Sequence, residues 1–516
     1  MNFALPSLQK VRPRAIVIGG GVAGLACTLR LQTAGYAVSL LERHAHLGGK
    51  IRTLETINGP ADAGPTVLTM RKVFDDLFAC AGEKLDAHVT LIKQDVLARH
   101  FWPDGSQLDL FSDPEHSAVA IDTFAGTRAA DEFRAFHRRT RKLFDAFDAP
   151  MMQRAEPSLT ELIPLVMADP SLLRAMAPLS TLAASLQKQF SDPRLAQLFG
   201  RYATYVGGAP QLSPALLSLI WQAEAAGVWV VEGGMHKLTQ AMTQLCAQHG
   251  ADIHLNTHVD RLDVVNGRAR GVTLASGARL SADAIVFAGD PRALASGQLG
   301  PGAASVARQT LTAPRSFSAR VHSFAAEVTG KDLAHHNVFF NADPSEEFDA
   351  LAKGRIPKSP SLYLCALDRA QNRAPPLQER FEMISNAPAT QAPTDSKELD
   401  QWHLQIMQMM KTFDVRFTPQ PTTHSITTPQ TFSRLFPASE GALYGQSPHG
   451  MTAALKRPRA RTSISGLWLC GGGTHPGAGV PMATISARHA AEAILHDQTS
   501  ASTSAPMATP GGMSTG

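Results

Sequence analysis

The feature that most limits how this chain can fold is a run of apolar residues that ends in three spaced glycines. Residues 15–18 read Ala-Ile-Val-Ile and lead into Gly19, Gly21 and Gly24, a G-x-G-x-x-G pattern. In this pattern the first glycine permits a tight turn, the second lets the backbone approach a pyrophosphate, and the third lets helix and strand pack closely. The segment therefore predicts a buried strand, a phosphate-binding turn and a helix whose N-terminus faces the phosphates.

An acidic residue follows at the spacing that such a site requires. Residues 37–41 predict the next strand, and Glu42 ends it, 18 residues after Gly24. A carboxylate at this place can accept hydrogen bonds from ribose hydroxyls. Because strand, turn, helix and acid occur in the expected order, the sequence predicts that the chain binds a dinucleotide.

Two further glycine-rich segments favour FAD over NAD. Gly48-Gly49-Lys50 offers a second close and cationic approach to a pyrophosphate, although a simple loop is the alternative interpretation of the glycine pair. Near the other end, residues 466–477 again read as a strand that enters a glycine turn, and a helical run from Ala483 to Leu495 follows. Because the glycine-rich elements stand at opposite ends of the chain, we expect one cofactor to be held from both ends.

Composition excludes several other classes of protein. The 48 basic and 44 acidic residues give a formal net charge of +4, which does not support nucleic-acid binding. Five scattered cysteines without CxxC spacing favour a reducing cytoplasm, and His335-His336 lacks partners at ligand spacing, so we expect no metal site. No apolar segment precedes Arg12 as in a signal peptide, and no run reaches the roughly 18 apolar residues of a membrane span.

The order of the motifs predicts an α/β fold in which a Rossmann-like FAD-binding domain is interleaved with an α+β substrate domain. We assign the FAD-binding domain to residues 1–75, 214–294 and 450–496, and the substrate domain to 76–213 and 295–449. Asn266-Gly267 and Ser276-Gly277 are strong hairpin signals within the second piece. Residues 497–516 are rich in Ser, Thr, Ala, Pro and Gly, so we expect a disordered tail.

In its motifs and their order, the chain resembles the phytoene-desaturase-type carotenoid oxidoreductases, a branch of the flavin amine-oxidase-like superfamily. The resemblance extends over nearly the whole chain in the order of that family. Its matching segments are GGGVAGL at 19–25, LERHAHLGGK at 41–50, DAGPTVLT at 62–69, GVWVVEGGM at 227–235 and LCGGGTHPGAGVPM at 469–482. Within the family, residues 98–111 are most similar to the hydroxyneurosporene (methoxyneurosporene) desaturase subgroup.

The resemblance implies a non-covalently bound FAD and the removal of hydrogen across a saturated C–C bond of a long polyene. In the subgroup this bond is C-3,4 of an acyclic 1-hydroxy carotenoid. By matching motif position, the residues implied to hold the cofactor are Gly19, Gly21, Gly24, Glu42, Arg43, Gly49, Lys50, Gly64, Pro65, Thr66, Val259, Gly472 and Met482. Family members often carry arginine where Lys50 stands, and lysine lacks the bidentate geometry of arginine, so the phosphate contact of Lys50 is an open question.

The same resemblance gives only weak candidates for catalytic residues. Related phytoene desaturases carry an acid and, three residues later, an arginine on a helix near the flavin. Glu161 matches the acid, but Pro164 occupies the place of the arginine, so a solvated or capping carboxylate is the alternative interpretation. His475 lies in the C-terminal glycine turn and could polarise the flavin, or it could be a packed turn residue. Such chemistry needs an apolar tunnel that aligns the substrate and excludes water more than it needs a strong base.

A carotenoid dissolves only in lipid, so we expect the protein to lie in the cytoplasm, peripherally associated with the inner membrane. The apolar run 172–186 is either core or a membrane-dipping entrance helix, and the basic run 138–142 is either a solvated face or a headgroup contact. No second nicotinamide motif is present, so oxygen or a membrane quinone is the expected electron acceptor.

Two other classes of function remain open. One is a different flavoenzyme on the same fold, such as an amine oxidase, a phytoene desaturase, or a carotenoid ketolase or isomerase. The other is a non-catalytic prenyl-lipid binding protein of the same architecture. Retention of Glu42 and of both glycine clusters argues against the second class.

Overall fold

A computed structural model describes residues 12–371 and 373–503. Its first organising element is a parallel sheet of five strands, here called the nucleotide sheet. In spatial order the strands are Asp252–His254, Ala37–Leu41, Arg14–Ile18, Ala284–Phe287 and Leu467–Leu469. The central strands are apolar and buried, as expected for a parallel sheet that is covered on both faces.

Three helices pack together at the nucleotide sheet, and their sequences explain why. The helix Val22–Thr33 is almost entirely buried and packs against Val480–Thr503 and His236–Gln248. Small residues such as Ala26, Cys27 and Ala487 are completely or nearly completely buried in their shared core, so the helices approach each other closely. This packing joins the two ends of the chain.

The short antiparallel elements follow the predicted turn signals. Val259–Val265, Arg268–Leu274 and Arg279–Ser281 form a three-stranded sheet. Asn266 and Gly267 join the first two strands with φ of 50° and 72°, the left-handed conformations of a tight hairpin turn. Two more small sheets pair Thr53–Thr56 with Gly59–Asp62, and Val228–Val231 with Leu68–Thr69 and Leu91–Lys93.

A second, larger sheet has eight strands and lies in the other half of the molecule. Its strands are Val96–Phe101, Gln107–Phe111, Ser318–Gly330, His336–Phe339, Leu362–Ala366, Glu379–Ala387, Val415–Thr418 and Ile426–Thr427. Apart from one parallel pair, Val96–Phe101 with His336–Phe339, its pairings are antiparallel. This sheet has an apolar core of its own, which includes Phe101, Phe339 and Phe381.

The remaining helices are divided between the two halves, since Lys72–Ala79 and Arg292–Ala295 pack in the cores around the nucleotide sheet while Ser396–Thr412 packs on the large sheet. They are Lys72–Ala79, Pro114–Ala125, Thr127–Phe147, Leu159–Ala168, Ser171–Met176, Leu182–Gln189, Pro193–Gly200, Ile220–Ala225, Arg292–Ala295, Pro344–Ala352, Ser396–Thr412 and Pro429–Leu435. A π-helical turn spans Asp148–Met152, and 3₁₀ turns span Leu85–Ala87, Arg201–Val206, Ala215–Leu219, Pro301–Ala303, Arg308–Leu311, Thr423–Ser425 and Ala454–Lys456. None of the helices in the described part of the chain combines the length and apolar character that a bilayer span requires.

The strands of the nucleotide sheet come from the segments 1–75, 214–294 and 450–496, while the large sheet uses residues between 96 and 427. One detail differs from the prediction, because the last helix continues through Thr503, so residues 497–503 are helical where composition predicts disorder. A helix that is already formed extends at little cost, since each further residue adds a hydrogen bond without a new nucleus. The rest of the predicted tail, 504–516, lies outside the described residues.

Candidate active site

The first glycine turn is built as the motif predicts. Gly19 has φ of 103°, which only glycine adopts without strain, and its amide donates to the Leu41 carbonyl at 2.8 Å. Gly24 lies in the first turn of the following helix, where a Cβ would lie 1.9 Å from the Gly19 carbonyl oxygen. The third glycine therefore lets the helix pack directly on the turn.

Glu42 is buried at the end of the second strand and holds the turn from the side. Its Oε2 accepts a hydrogen bond from the Gly20 amide at 2.7 Å, and its Oε1 accepts one from the His44 amide at 2.8 Å. Each carboxylate oxygen has a further lone pair, so the group can still accept from ribose hydroxyls. Glu42 is thus a structural residue of the turn as well as a candidate ribose ligand.

The glycine pair Gly48-Gly49 contacts the first glycine turn. The Gly48 amide donates to the Gly20 carbonyl at 2.9 Å, and a Cβ at Gly49 would lie 3.0 Å from the Gly21 Cα. Gly64 packs even more closely, because a Cβ there would lie 2.0 Å from the Lys50 carbonyl oxygen. Three glycine-containing segments therefore converge on one backbone surface, which bulkier residues would fill.

The C-terminal glycine turn lies beside the N-terminal one. The strands Arg14–Ile18 and Leu467–Leu469 both pair with Ala284–Phe287, which separates them. Ala288 follows that middle strand, and ideal Cβ positions on both Gly19 and Gly471 lie within 3.6 Å of it. The arrangement brings the glycine clusters of the two chain ends together, as the sequence predicts.

A single cavity of about 1420 Å³ runs along these elements. That volume exceeds the roughly 300–1,000 Å³ of a typical small-molecule pocket. Among the residues expected to hold the cofactor, those that line the cavity are Gly19, Gly21, Glu42, Arg43, Gly49, Lys50, Gly64, Pro65, Thr66, Val259, Gly472 and Met482. Gly24 does not line the cavity. It lies in the helix behind the turn, where it lets the helix pack closely.

The site has the features that a dinucleotide requires. Within 4 Å of a Cβ on Gly21 there would be only the Gly49 Cα, at 3.8 Å, so space is open at the second glycine. No side chain caps the helix Val22–Thr33, and Val22 and Ala23 at its N-terminus line the cavity, as do Val480 and Met482 of the last helix. Unpaired N–H groups and the partial positive charge of helix N-termini favour phosphate. The residues present therefore fit FAD.

Lys50 lies in the cavity wall and reaches towards the segment 436–444. Its Nζ donates to the Leu443 carbonyl and lies 5.4 Å from the centroid of the Phe436 ring. Burial lowers the pKa of Lys50 to about 8, and the nearby Arg315 and Arg457 act in the same direction against the opposing effect of Asp290. An anionic ligand in the cavity would favour the charged form of this amine.

Away from the glycine turns the cavity walls are mostly apolar. Phe144, Met152, Phe190, Leu217, Ile220, Phe340 and Phe348 are among these wall residues. Several polar residues that sequence reasoning missed also line this part, among them Arg201, Tyr205 and Glu224. Their local sequences carry no recognised motif, and only the neighbouring Gly207-Gly208 marks the segment as unusual. An elongated apolar ligand fits such walls.

The two weak catalytic candidates lie outside the cavity lining. Glu161 forms an ion pair with Arg154, in agreement with the alternative interpretation of a structural carboxylate. The His475 ring stacks on His489 at 5.7 Å, and its Nε2 is 2.9 Å from the Arg154 carbonyl oxygen. Burial lowers the pKa of His475, as expected for a packed turn residue.

The structure adds a partner to the histidine pair. Cys365 faces His336 in the register of two neighbouring strands, and the potential ligand atoms of His335, His336 and Cys365 lie within 4.8 Å of one another. His335 Nε2 already contacts Cys365 Sγ at 3.3 Å, and His336 Nδ1 contacts Tyr363 Oη at 2.7 Å. Sequence spacing could not reveal this group, and the absence of a metal site stays a prediction.

Comparison with known proteins places this geometry in context. The family model described as flavin containing amine oxidoreductase matches residues 22–495. The chain is 49% identical over 495 residues to hydroxyneurosporene desaturase of Cereibacter sphaeroides, covering 96% of the chain and 100% of the relative. It is 46% identical to hydroxyneurosporene desaturase of Rhodobacter capsulatus, covering 94% and 98%.

Among solved structures, an oxidoreductase from Methanosarcina mazei aligns with a TM-score of 0.59 at 17% identity, covering 93% of this chain and 100% of that one. At this identity the likeness concerns the fold alone. Together with the family match, it confirms the predicted α/β fold with a Rossmann-like FAD-binding domain.

Proposed function

This chain belongs to the flavin-containing amine oxidoreductase family, and from that premise we propose that it desaturates the C-3,4 bond of an acyclic 1-hydroxy carotenoid such as hydroxyneurosporene. The cofactor is FAD, and the protein is an oxidoreductase of carotenoid biosynthesis. The choice of bond and of substrate is the finer part of the proposal. It is supported by near full-length similarity to the two hydroxyneurosporene desaturases.

The observation that carries the proposal is the continuity of the cavity. One space runs from the glycine turns, with Gly21 and Gly472, to apolar walls that include Phe190 and Phe340. A nucleotide cofactor and a slender hydrocarbon can therefore share it, with the reacting bond placed where the two parts meet. A site for a small polar amine would not need such long apolar walls.

Bound FAD supplies a two-electron acceptor for hydrogen removal. The chain's own residues bind, orient and exclude water. Backbone amides of the glycine turns and the two helix N-termini hold the phosphates, and Glu42 orients the ribose end. The apolar walls align the polyene and exclude water. Holding the reacting groups in the correct orientation can lower the barrier of such a reaction substantially.

We further propose that the protein docks on the cytoplasmic face of the inner membrane through the helices Leu159–Ala168 and Ser171–Met176. Ile163, Met167 and Leu173 are exposed on these helices, and Leu179 is exposed just after them. Several exposed apolar side chains within one short segment are typical of an interaction site. Met176 of this region also lines the cavity, so a carotenoid could enter directly from lipid.

Basic residues flank the proposed docking surface. Arg138, Arg141 and Lys142 are exposed on the helix Thr127–Phe147, and Lys142 forms an ion pair with Asp169 at 2.5 Å, which ties that helix to the apolar segment. Attraction to anionic headgroups would support the apolar contact. For the electron acceptor we propose oxygen or a membrane quinone, which such docking would make accessible.

The proposal is tested with purified FAD-loaded protein and liposomes that contain a 1-hydroxy acyclic carotenoid or phytoene. We expect the 1-hydroxy substrate to lose two hydrogens, seen by mass, and to shift its absorption to longer wavelength. Conversion of phytoene alone would indicate a phytoene desaturase instead. Failure to bind flavin, with carotenoid binding retained, would favour the non-catalytic lipid-binding alternative.

A further inference from the structure

The apolar part of the cavity contains a small group of hydrogen-bonding side chains, Arg201, Tyr205 and Glu224, which we call the polar cluster. All three line the cavity. Arg201 and Tyr205 belong to the 3₁₀ turn Arg201–Val206, and Glu224 belongs to the helix Ile220–Ala225. A pure hydrocarbon has no group that could bind to such side chains, so their presence in this wall requires an explanation.

Arg201 lacks a full set of partners. Its Nη1 donates to Tyr205 Oη at 3.3 Å, and its Cζ lies 5.2 Å from the centroid of the Tyr205 ring and 5.7 Å from that of Tyr363. Within the part of the chain that the structure describes, the guanidinium forms no ion pair with a carboxylate. A guanidinium carries five N–H donors, and in the described part of the chain the half-buried Arg201 donates to the side chain of Tyr205 alone, while the nearby Tyr205 and Glu224 favour its charged form. A ligand oxygen would complete its coordination.

Glu224 provides the complementary group. Its Oε2 accepts a hydrogen bond from Tyr202 Oη at 2.6 Å. Burial raises the pKa of Glu224, although Tyr202, Tyr205 and Arg201 act in the opposite direction. The cluster thus pairs a strong donor with a carboxyl group. An alcohol is the ligand group that matches both, because a hydroxyl donates one hydrogen bond and accepts others.

The cluster lies at the reacting end of the cavity. Arg201 packs on Tyr363, and Tyr363 Oη is 2.7 Å from Thr66 Oγ1. Thr66 is one of the cavity-lining residues that we assign to the flavin. In a 1-hydroxy carotenoid the carbon that bears the hydroxyl is two bonds from C-3. When C-3,4 is beside the flavin, the hydroxyl must therefore lie close to it, as the cluster does.

We propose that Arg201, Tyr205 and Glu224 bind the C-1 hydroxyl of the substrate and make the enzyme select hydroxylated over hydrocarbon carotenoids. This inference rests on the proposed function. The physical reason for selection is that a hydrocarbon leaves buried polar groups unpaired, and a site built to bind a hydroxyl rejects an analogue that lacks it far more strongly than an apolar site distinguishes sizes.

The test compares kcat/KM for a 1-hydroxy acyclic carotenoid and for the matching hydrocarbon, both in liposomes, with FAD-loaded protein. In Arg201→Met we expect the preference for the hydroxylated substrate to fall about 10- to 100-fold, as for the loss of a hydrogen bond to a charged group. The loss should appear mainly in KM for the hydroxylated substrate. Tyr205→Phe removes one oxygen and keeps the ring, so it should lower the preference by a smaller factor.

Arg139→Met is the matched control. Arg139 is also half-buried, but it donates to Ser185 Oγ and Ser218 Oγ at 3.2 Å and does not line the cavity, so the preference should not change. Equal losses on both substrates in the cluster variants, with flavin content intact, would overturn the hydroxyl site and leave the desaturase function standing. If the wild type converts neither substrate, the proposed function itself fails. Should Arg201→Met not fold, Tyr205→Phe decides.

Discussion

The Glu42 carboxylate and the Gly20 amide are joined by a buried hydrogen bond of 2.7 Å, which connects the end of the second strand to the first glycine turn. The residue that we propose for the ribose therefore also shapes the surface that we propose for the phosphates. Ligand contact and turn geometry are coupled in one side chain, and a change at Glu42 acts on both.

We expect Glu42→Ala to weaken flavin retention. The loss of hydrogen bonds to a buried charged group costs about 1.5–3 kcal/mol each, which corresponds to roughly 10- to 100-fold in FAD affinity. Equilibrium dialysis with FAD gives the dissociation constant. Glu55→Ala, a change of an exposed carboxylate in the hairpin Thr53–Thr56, is the control. Full flavin occupancy and activity in Glu42→Ala would contradict the ribose role.

Replacement by alanine should have different effects at two glycines of the same motif. At Gly24 a Cβ would lie 1.9 Å from a carbonyl oxygen, and overpacking of this kind costs about 1–3 kcal/mol or more. That exceeds the roughly 0.5–1 kcal/mol that alanine normally gains over glycine within a helix. We therefore expect Gly24→Ala to lower the melting temperature of the flavin-free protein.

Gly21→Ala should leave the flavin-free protein folded but impair FAD binding. Gly21 has φ of −72°, which alanine adopts freely, and its Cβ would meet only ordinary contacts. The methyl group would instead occupy the space through which the pyrophosphate approaches. Thermal melts with and without FAD separate the two effects. Unchanged FAD affinity in Gly21→Ala would place the phosphates elsewhere.

FAD affinity should depend on pH through Lys50. In the free protein its pKa is about 8, and a bound pyrophosphate raises that pKa, so binding takes up a proton above pH 8. Affinity should therefore fall as the pH rises through 8 towards the pKa of the complex. Lys50→Arg keeps its charge and should flatten this dependence in titrations from pH 6.5 to about 9.5. If FAD affinity changes with pH equally in both proteins, Lys50 is not the source of the dependence.

The same pKa shift predicts how the flavin-free protein responds to pH. The folded pKa of Lys50, about 8, lies below the unfolded value of 10.5, so the unfolded chain binds more protons between these values. The contribution of Lys50 to stability therefore increases as the pH rises through this window. Urea unfolding of the wild type and of Lys50→Met at pH 7.5 and 9.5 measures the difference. If the free energy of unfolding of Lys50→Met increases between these two pH values by as much as that of the wild type, the prediction is wrong.

Denaturation should release FAD intact. Cys470 stands beside the C-terminal glycine turn, but it is fully buried in the core and does not line the cavity. A hydrogen bond with Cys27, together with burial, raises the pKa of its thiol. A neutral thiol in the core cannot attack the flavin. Mass spectrometry of the denatured protein should give the mass of the polypeptide alone. A mass increased by that of FAD would show a covalent link.

Changes on the exposed apolar helices should weaken membrane binding without loss of flavin. Leu173 is half exposed, and removing a leucine from an apolar contact costs about 1.5–3 kcal/mol when burial is complete. Leu173→Glu combined with Met167→Glu should reduce co-sedimentation with anionic liposomes at least about tenfold. Ile57→Glu, at an exposed apolar residue in a hairpin turn, is the control. If the wild type, the double variant and the control bind liposomes equally, this surface is not the membrane contact.

Much of the cofactor site could be predicted from sequence because its signals are local. Gly19, Gly21 and Gly24 specify a turn whose geometry depends on neighbouring residues alone, and Glu42 follows at the end of the next strand. The Asn266-Gly267 hairpin formed for the same reason. The apolar run 172–186 was ambiguous, and the structure divides it, with Leu172 and Leu186 buried and Leu173 and Leu179 exposed.

By itself, the sequence determined the strand–turn–helix to which we assign the dinucleotide, because glycine conformations and strand periodicity are properties of short segments. Only the tertiary structure decided what lies across the cavity from it. Arg201, Tyr363 and Thr66 are far apart in the chain, and they meet because Tyr363, in a strand of the large sheet, packs against the segments that carry the other two. Their grouping depends on long-range packing, which no local pattern encodes, and that packing places polar groups in the apolar wall of the cavity.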